Sequence, residues 1–481
     1  MNFRLVFKVT GKTLLVEAAA MILPMLVGLI YGESPRPFLL AILITAVVGG
    51  ALSLLKSDTK LFAREGFFTV GLIWVLFGVF GALPFYFSGY FASYIDCLFE
   101  CISGFTTTGA TILNEIEGLP YGILFWRSFT HWLGGMGVLV LTIALLPSLG
   151  ARSAFLMQAE SPGPIKSKLV PKTAQSSKIL YGIYLVLTLI MTLCLWIAGL
   201  PLYDSVVTAF GTAGTGGFAV KNLSIAAYAS PAVEIIVTVF MLIFSINFSM
   251  YFLLLCNKWR QVLKSDELRF FVSIVLVSSI LITLNIYGNY ADTMSAGDSL
   301  RHAFFQVASI ISTSGFSSTD FNLWPEFSRW LLVLLMFVGA CAGSTGGGIK
   351  CSRILLMFRC LRRQIRQAIH PRSVYVVKLD GQTVEEQDLQ KTHIFLAAYM
   401  LILAIGILIV SLDNFSFTTT ATAVITCLSN VGPGLDLVGP MGNFSIFSPV
   451  SKLLLSLCMI IGRIEIIPIL VLFSRNAWRR K

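Results

Sequence analysis

The hydrophobic segments of this chain come in two lengths, and their order restricts the fold more than any other feature. Runs of about 20 apolar residues, enough to cross a hydrocarbon core of about 30 Å, alternate with four stretches of about a dozen residues, too short to cross. Each short stretch lies between two long runs and ends in a segment centred on glycine. The pattern predicts an all-α polytopic membrane protein with four helix–pore-loop–helix repeats around one pore.

The four glycine-centred segments are also rich in hydroxyl side chains: Thr106–Gly109, Gly214–Gly217, Ser312–Gly315 and Ser429–Gly432. Gaps of 107, 99 and 117 residues separate the reference positions Gly109, Gly216, Gly315 and Gly432. Glycine tolerates positive φ, which lets neighbouring carbonyl groups point the same way. A ring of carbonyl oxygens replaces the water shell of a cation. The segments therefore predict a cation filter, and glycine at all four reference positions favours potassium over sodium.

The predicted filter residues are Thr107, Thr108, Gly109, Thr215, Gly216, Ser314, Gly315, Asn430, Val431 and Gly432. For any one segment alone, small residues that pack helices together are an equal alternative. Recurrence at four matching positions, each at the end of a half-helix, favours the filter.

The repeats follow two N-terminal helices, expected near residues 11–31 and 38–56. The predicted division of the chain is 1–64 for this extension, 65–165, 166–264, 265–378 and 379–481 for the four repeats. Half-helices are expected near residues 93–105, 202–212, 299–312 and 418–428. The helices before them are expected near 67–90, 179–200, 268–287 and 393–412. The helices after them are expected near 122–147 and 232–255, from residue 330, and near 450–473.

Composition and charge argue against a soluble enzyme and against a nucleic-acid-binding protein. Hydrophobic residues make up 56% of the chain and charged residues 12%, whereas soluble domains contain about 25% charged residues. The net charge of +11 concentrates on one side of the membrane if the N-terminus is inside and the four short stretches re-enter from outside. This is the bias of the positive-inside rule, so both termini are expected in the cytoplasm.

Chemistry-bearing clusters are missing from the sequence pattern. The nine cysteines are scattered and form no C-x-x-C, which argues against a zinc site or a disulfide framework. The four histidines share no metal-ligand spacing, and no catalytic triad or carboxylate pair emerges. The chain is therefore not expected to be an enzyme or to hold a tightly bound cofactor. Acidic residues flank the expected outer mouth, where they could concentrate cations: Glu115, Glu117, Asp204, Asp320 and Asp436.

The segment Gly339–Gly348 interrupts the last helix of repeat 3 with five glycines in ten residues. Such a sequence does not form a stable straight helix. Non-helical backbone at membrane depth survives where it lines a cavity or is covered by protein. The segment is thus predicted to be a mobile gate below the filter, formed by Gly343, Gly346, Gly347 and Gly348. A packed kink is the alternative.

Arg463 stands out as a basic residue deep in the last helix, with Glu465 two positions later. A charge in the hydrocarbon region is expensive and usually marks function. Facing the pore, Arg463 would repel cations and belong to the gate. The alternative is a structural ion pair between helices, a role that suits Glu465 better.

Several motifs together resemble one family: Thr106–Thr111 (TTTGAT), Trp126–Gly137 (WRSFTHWLGGMG), Thr215–Phe218 (TGGF), Ser312–Ser318 (STSGFSS), Ala342–Lys350 (AGSTGGGIK) and Gly462–Pro468 (GRIEIIP). They are similar to the Trk/Ktr/HKT superfamily of potassium transporters, and closest to the bacterial TrkH/TrkG type of membrane subunit. The resemblance covers essentially the whole chain, and the two extra N-terminal helices suit that type.

The resemblance implies potassium uptake across the bacterial inner membrane, with potassium as the transported ion. It also implies a homodimer with one pore per protomer, and a cytosolic, TrkA-type regulatory ring that binds nucleotide. The family's gating loop corresponds to Gly343–Gly348 and its pore arginine to Arg463. A proton- or sodium-coupled symporter is the alternative. Coupling to protons would need a titratable acid inside the membrane, for which Glu465 is the sequence candidate.

Overall fold

The computed structural model of the chain describes residues 2–56, 63–137, 173–290, 294–464 and 466–473. Across these residues the protein is all-α apart from a two-stranded hairpin of Lys378–Leu379 and Gln382–Thr383. Six described helices are long and apolar enough to cross a membrane, or seven if one sharply bent pair counts as a span. The predicted fold class is confirmed, and the protein is a multi-pass membrane protein.

Two of the six long helices form the N-terminal extension. The first runs over Phe3–Ala20 and continues as Ile22–Ile30, and the second is Arg36–Ser53. Glycine lets them cross closely, because a methyl carbon placed on Gly11 would lie 2.6 Å from Cβ of Leu52. Small residues at a crossing are the usual helix contact in a bilayer.

The other four long helices begin the repeats, and we call them the outer helices. They are Ala63–Gly81 with Leu83–Ser88, Thr173–Ile197, Asp266–Tyr290 and Glu386–Val410. The predicted division of the chain into five segments stays a prediction, and its boundary at residue 165 lies outside the described residues.

A half-helix follows each outer helix, close to its predicted position: Tyr94–Phe105, Leu202–Ala213, Ala296–Ile311 and Phe417–Ser429. The longest has 16 residues, or about 24 Å at 1.5 Å per residue, which is too short to span. Three begin at a serine whose Oγ accepts an amide hydrogen bond from the first turn, namely Ser93, Ser295 and Ser416. This side-chain cap fixes where each half-helix starts.

The inner helices follow the half-helices and depart most from the prediction. They are Tyr121–Gly135, Pro231–Phe244 with Phe248–Leu255, Glu326–Val338, and Pro449–Ile464 with Ile466–Phe473. The single straight helix expected over residues 232–255 is wrong, since the pair in repeat 2 is bent by 90°. The predicted continuation of the first inner helix beyond residue 137 lies outside the described residues.

Shorter elements complete the described chain. They are the helices Trp259–Leu263 and Cys351–Ile369 and the 3-10 turns Ser224–Tyr228, Phe321–Leu323, Ser411–Asp413 and Asp436–Val438.

Polar contacts join neighbouring repeats around the molecule. Each adjacent pair, including the fourth with the first, shares at least one: Ile116 with Asn222, Glu234 with Arg301, Asn322 with Asp436, and Lys452 with Asp96. The last is an ion pair of 2.6 Å between largely buried side chains. The four repeats therefore close into a ring.

Candidate ion-conduction site

All four half-helices end in the same backbone motif. A residue with a left-handed φ of 55–59° follows each half-helix: Thr107, Thr215 and Thr313 two positions beyond its end, and Asn430 one position beyond. In repeat 1 the Thr107 amide donates to the Gly104 carbonyl at 3.0 Å, and the Thr108 amide donates to Ser103 at 2.9 Å. This pair of bonds is a Schellman motif, which satisfies carbonyls that the helix end leaves without partners.

Three of the four left-handed residues are threonine, which is unusual. A β-branched residue with positive φ is an outlier, because its side chain crowds the backbone. Such conformations persist where the surroundings enforce them, and they cluster at functional sites. Thr107, Thr215, Thr313 and Asn430 are all fully buried, so packing is what holds them.

Two residues after each left-handed residue comes a glycine with positive φ: Gly109, Gly217, Gly315 and Gly432. In repeat 2 this glycine is Gly217, so the choice of Gly216 as the equivalent position is wrong by one residue. Gly216 and Gly217 are adjacent in the sequence, and backbone torsion angles rather than residue type distinguish them. Gly216 supplies a carbonyl group instead.

These four glycines each lie against a carbonyl oxygen of the next repeat. A methyl carbon on the glycine would approach that oxygen to 1.9–2.7 Å, in the pairs Gly109 with Gly216, Gly217 with Ser314, Gly315 with Val431, and Gly432 with Thr108. The last pair returns to the first repeat. The glycines and carbonyls thus form a closed ring, which we call the glycine ring, and no side chain fits at its glycine positions.

Side-chain hydroxyl and amide groups support the glycine ring from behind. The Asn430 amide donates to Oγ1 of Thr108 and to the carbonyl of Met459, both at 2.9 Å. Oγ of Ser312 donates to Oγ of Ser314 at 2.8 Å. Oγ1 of Thr107 and Oδ1 of Asn430 are buried without a hydrogen-bond partner among the described residues. Buried polar atoms normally have partners, so these two oxygens remain available to a ligand that accepts lone pairs.

The glycine-rich segment of repeat 3 lies directly against two half-helix ends. Helix stops at Val338 and resumes at Cys351, so the break is where the sequence predicts it. The Gly347 amide donates to Oγ1 of Thr313 at 2.7 Å, and a methyl carbon on Gly347 would lie 2.7 Å from the Ser429 carbonyl oxygen. The predicted gate residues Gly346 and Gly347 therefore contact the segments that lead into the glycine ring.

The same loop fills the bend in the inner helix of repeat 2. The Cys341 amide donates to the Ser245 carbonyl at 3.1 Å, and the Phe248 amide donates to the Gly343 carbonyl at 3.0 Å. Backbone groups freed by one break are thus satisfied by the other, as backbone inside a membrane requires. At the outer-helix end, Glu267 accepts hydrogen bonds from the amides of Ala342 and Ser352 at 2.6 and 3.1 Å, which fastens both ends of the loop.

Arg463 joins the loop to a second element. Its guanidinium donates to the Thr345 carbonyl in the loop, and to the carbonyls of Gly134 and Gly135 at 2.6 Å each. The glycine carbonyls belong to the last turn of the inner helix of repeat 1, where cationic donors are favourable. Glu465 lies outside the described residues, so the structural pair considered from sequence stays a prediction.

Arg127 is a second buried basic residue in an inner helix, and the sequence did not single it out as Arg463 was singled out. Arg127 is 2% exposed and pairs with Glu100 of the first half-helix at 2.5 Å. The Glu100 carboxylate also accepts bonds from Oγ1 of Thr111 and the amide of Ile112. Hydropathy does not reveal this burial, because it cannot distinguish an exposed helix start from one covered by a half-helix.

Another acid was missed in the N-terminal extension. Glu17 is 1% exposed, and neither carboxyl oxygen has a hydrogen-bond partner among the described residues. Its Oε1 would lie 2.8 Å from a methyl carbon on Gly81, beside Cys101 and Phe105 of the first half-helix. Glu465 is therefore not the sole candidate for a titratable acid in the membrane.

At least three of the five acidic residues at the expected outer mouth are engaged in structure. Hydrogen bonds from Ser416 and Thr419 lower the pKa of Asp436, and a hydrogen bond from Lys221 lowers the pKa of Glu117. Asp204 accepts from the Tyr228 hydroxyl at 2.9 Å. Both shifted carboxylates stay ionised at neutral pH, but they tie loops together rather than stand free.

Comparison with known proteins places the whole chain among cation transporters. A family described as "TrkH: Cation transport protein" matches residues 35–480. The Trk system potassium uptake protein TrkH of Salmonella typhimurium is 38% identical, with 100% of both chains covered. TrkG of Escherichia coli K12, also named a Trk system potassium uptake protein, is 33% identical over 99% of each. The crystal structure of the potassium transporter TrkH from Vibrio parahaemolyticus matches with a TM-score of 0.89 and 32% identity over 100% of both chains.

Proposed function

Since the chain belongs to the TrkH family of cation transport proteins, we propose that it carries potassium into a bacterial cell through a pathway enclosed by its four repeats. The observation behind this proposal is the glycine ring, in which each glycine lies against a carbonyl oxygen of the next repeat. Rings of backbone carbonyls take the place of an ion's hydration shell. Potassium as the substrate is extended to this chain from the names of its relatives.

The proposed filter combines the residues predicted from sequence with Gly217. It consists of Thr107, Thr108, Gly109, Thr215, Gly216, Gly217, Ser314, Gly315, Asn430, Val431 and Gly432. The proposed gate is the loop containing Gly343, Gly346, Gly347 and Gly348, together with Arg463. It is supported by the hydrogen bond from the loop to Thr313 and by the arginine that links the loop to another helix.

Selectivity is tested by measuring potassium and sodium flux into liposomes that contain the purified protein. Serine at Gly109 or Gly315 would place a side chain within 1.9 or 2.2 Å of the facing carbonyl oxygen. Displacing that carbonyl should lower the preference for potassium over sodium by roughly tenfold, a loss of about 1.4 kcal/mol. Unchanged selectivity in both Gly109→Ser and Gly315→Ser would remove these glycines from the filter.

Regulation and assembly complete the proposal. The protein works as a homodimer in the bacterial inner membrane, with both termini cytoplasmic, and a TrkA-type cytosolic ring that binds nucleotide controls the loop. The concentration of basic residues in segments assigned to the inside supports the orientation. Potassium flux measured after reconstitution with and without the ring protein, at several nucleotide concentrations, tests this regulation. Flux that is the same with and without the partner would argue against regulation by the ring. Cross-linking in native membranes tests the dimer.

Proton-coupled symport is a second candidate that one observation favours. Glu17 is a buried carboxyl group without a partner among the described residues, and such a group can take up and release a proton. It lies behind the first half-helix, beside Gly81 and Cys101, and not in the glycine ring, so symport stays second to the uncoupled pathway.

A further inference from the structure

We infer that Arg127, His131 and Phe218 form a clamp that sets the position of the Gly216 carbonyl in the glycine ring and so contributes to ion selectivity. The inference rests on the proposed filter, and it identifies residues outside the filter segments that fix its geometry. Arg127 and His131 are four residues apart on the inner helix of repeat 1, so they share one face of that helix. Phe218 directly follows the ring glycine Gly217 in repeat 2.

Both helix residues are anchored on the first half-helix. Arg127 Nε is 2.5 Å from the carboxylate of Glu100. His131 Nδ1 donates to the carbonyl of Gly104 at 2.7 Å. Glu100 and Gly104 are themselves one helical turn apart, so two parallel contacts hold the inner helix against the half-helix. A pair of contacts fixes both the distance and the rotation between two helices, whereas a single contact fixes one point.

Both anchored side chains contact the Phe218 ring. The Arg127 guanidinium carbon lies 3.5 Å from the centre of the Phe218 ring, and the His131 ring centre lies 4.1 Å away, tilted by 33°. Arg127 Nη1 also donates to the Ala219 carbonyl at 3.0 Å. Phe218 is 1% exposed, so its cation–π contact with Arg127 is shielded from water. Cation–π contacts are strongest when they are desolvated.

His131 also touches the ring segment itself. A methyl carbon on Gly216 would lie 2.3 Å from Nδ1 of His131, so the imidazole packs flat against the Gly216 backbone. The carbonyl of the same residue faces Gly109 of repeat 1. The Gly216 peptide is therefore held between the imidazole and the glycine ring, and it has little freedom to move.

The phenylalanine that follows the ring glycine has different neighbours in repeat 2 and in repeat 3. The equivalent residue Phe316, which follows Gly315, packs against Gly211 of the second half-helix, 3.0 Å from a methyl carbon placed there. Phe218 is instead held by a cation and an imidazole from another repeat. The same substitution at the two phenylalanines therefore separates the effect of the clamp from the general effect of shortening an aromatic side chain next to a filter.

The test compares Phe218→Leu with Phe316→Leu in the full-length protein. Each purified variant is reconstituted in liposomes, and potassium and sodium flux is measured per folded protein, as judged by size-exclusion chromatography. Loss of the clamp should reduce the preference of Phe218→Leu for potassium over sodium by roughly tenfold, and by clearly more than in Phe316→Leu. Phe218→Tyr keeps an aromatic ring in contact with Arg127 and His131 and should retain most of the preference.

Arg127→Lys supplies a second approach if Phe218→Leu does not fold. Lysine keeps the charge beside Glu100 but lacks the planar fork that lies over the ring and reaches Ala219, so the same loss of selectivity is expected. Equal selectivity in all variants and the unaltered protein would overturn the clamp and leave the proposed filter intact. Failure of every clamp variant to fold would make the three residues packing elements and would also overturn it. Absence of any ion flux through the unaltered protein would overturn the proposed function and the clamp together.

Discussion

Gly217 shows how one backbone position decides which residue type is tolerated. Its φ is +75°, and a methyl carbon on it would lie 1.9 Å from the Ser314 carbonyl oxygen. Alanine would therefore meet two obstacles, a left-handed backbone that costs about 1–2 kcal/mol and a backbone atom that cannot rotate away. Contacts this short are not relieved by a change of rotamer, so the ring itself has to shift.

We therefore expect Gly217→Ala to abolish selective potassium uptake. Growth of a potassium-transport-deficient strain at low potassium, with protein level measured in membranes, provides the readout. Gly182→Ala is the matched control, because that glycine lies in the outer helix of repeat 2 with no atom within 4 Å of a methyl position. The control should be neutral or stabilising by up to about 1 kcal/mol. Full growth with Gly217→Ala would show that the glycine ring is not required.

Arg463 is a residue whose role the structure makes more specific. Sequence suggests an electrostatic barrier to cations, whereas the structure adds bonds to carbonyls on the loop and on the end of the first inner helix. A barrier depends on charge alone. A latch that holds the loop depends on the planar fork of donors, which lysine does not have.

Arg463→Gln should raise potassium flux under either account, since both charge and fork are lost. Arg463→Lys distinguishes the two: a pure barrier predicts unchanged flux, and the latch predicts an increase of about tenfold, because a charge-assisted hydrogen bond contributes about 1.5–3 kcal/mol. Initial uptake rates per folded protein measure the difference. Poor folding of Arg463→Gln that is rescued by neutralising Glu465 would favour the structural ion pair instead.

Residue type predicted three of the four ring glycines but could not predict the fourth. Gly109, Gly315 and Gly432 have no neighbouring glycine one position before, whereas Gly216 and Gly217 are adjacent, and the register there depends on a torsion angle. The clamp was also invisible, because Arg127 and Phe218 are 91 positions apart in the sequence. Composition and spacing contain no information on which distant side chains face each other.

At the scale of helices, the half-helices were predicted to within about three residues. A change in hydropathy marks their ends, and a serine caps the start of three of them. The bend of repeat 2 was missed. Residues 245–247 are Ser, Ile and Asn, which are only moderately poor helix formers. The bend depends on backbone partners that the loop of repeat 3 supplies, a tertiary effect that local sequence does not encode.

Deletion of Gly346–Gly348 tests the loop as a gate. It removes the amide that bonds to Thr313 and the backbone that packs against Ser429, so resting potassium flux should rise by at least about tenfold if the loop occludes the pathway. Flux in liposomes without the regulatory partner is the measurement. Gly343→Ala, whose methyl group would meet Asn247 rather than the filter segments, is a comparison within the same loop. Normal resting flux in a well-folded deletion variant would identify the loop as a packed kink.

At the scale of the whole molecule, the N-terminal extension is bound into the first repeat by two carboxyl groups in different ways. Glu33 accepts hydrogen bonds from the amides of Tyr121 and Gly122, at 2.5 and 2.9 Å, and thus caps the first inner helix. Glu17 inserts behind the first half-helix without a hydrogen-bond partner among the described residues. Sequence predicted the extension as two helices outside the repeats, but not that its acids support the repeat that contains Arg127.

Substitution of Glu17 distinguishes an uncoupled pathway from proton-coupled symport. A carboxylate buried without a partner is strongly unfavourable, so the neutral acid is the stable form. Glutamine has nearly the same shape and is also neutral, and Glu17→Gln should therefore leave folding stability within about 1 kcal/mol of the unaltered protein. Potassium flux should also be unchanged if the carboxyl has no part in transport.

The experiment imposes a pH gradient across liposomes while the membrane potential is held at zero, and follows potassium accumulation. Neither protein should accumulate potassium under this gradient. Accumulation by the unaltered protein that Glu17→Gln abolishes would instead establish a proton-coupled symporter and place its proton site at the boundary between the extension and the first half-helix.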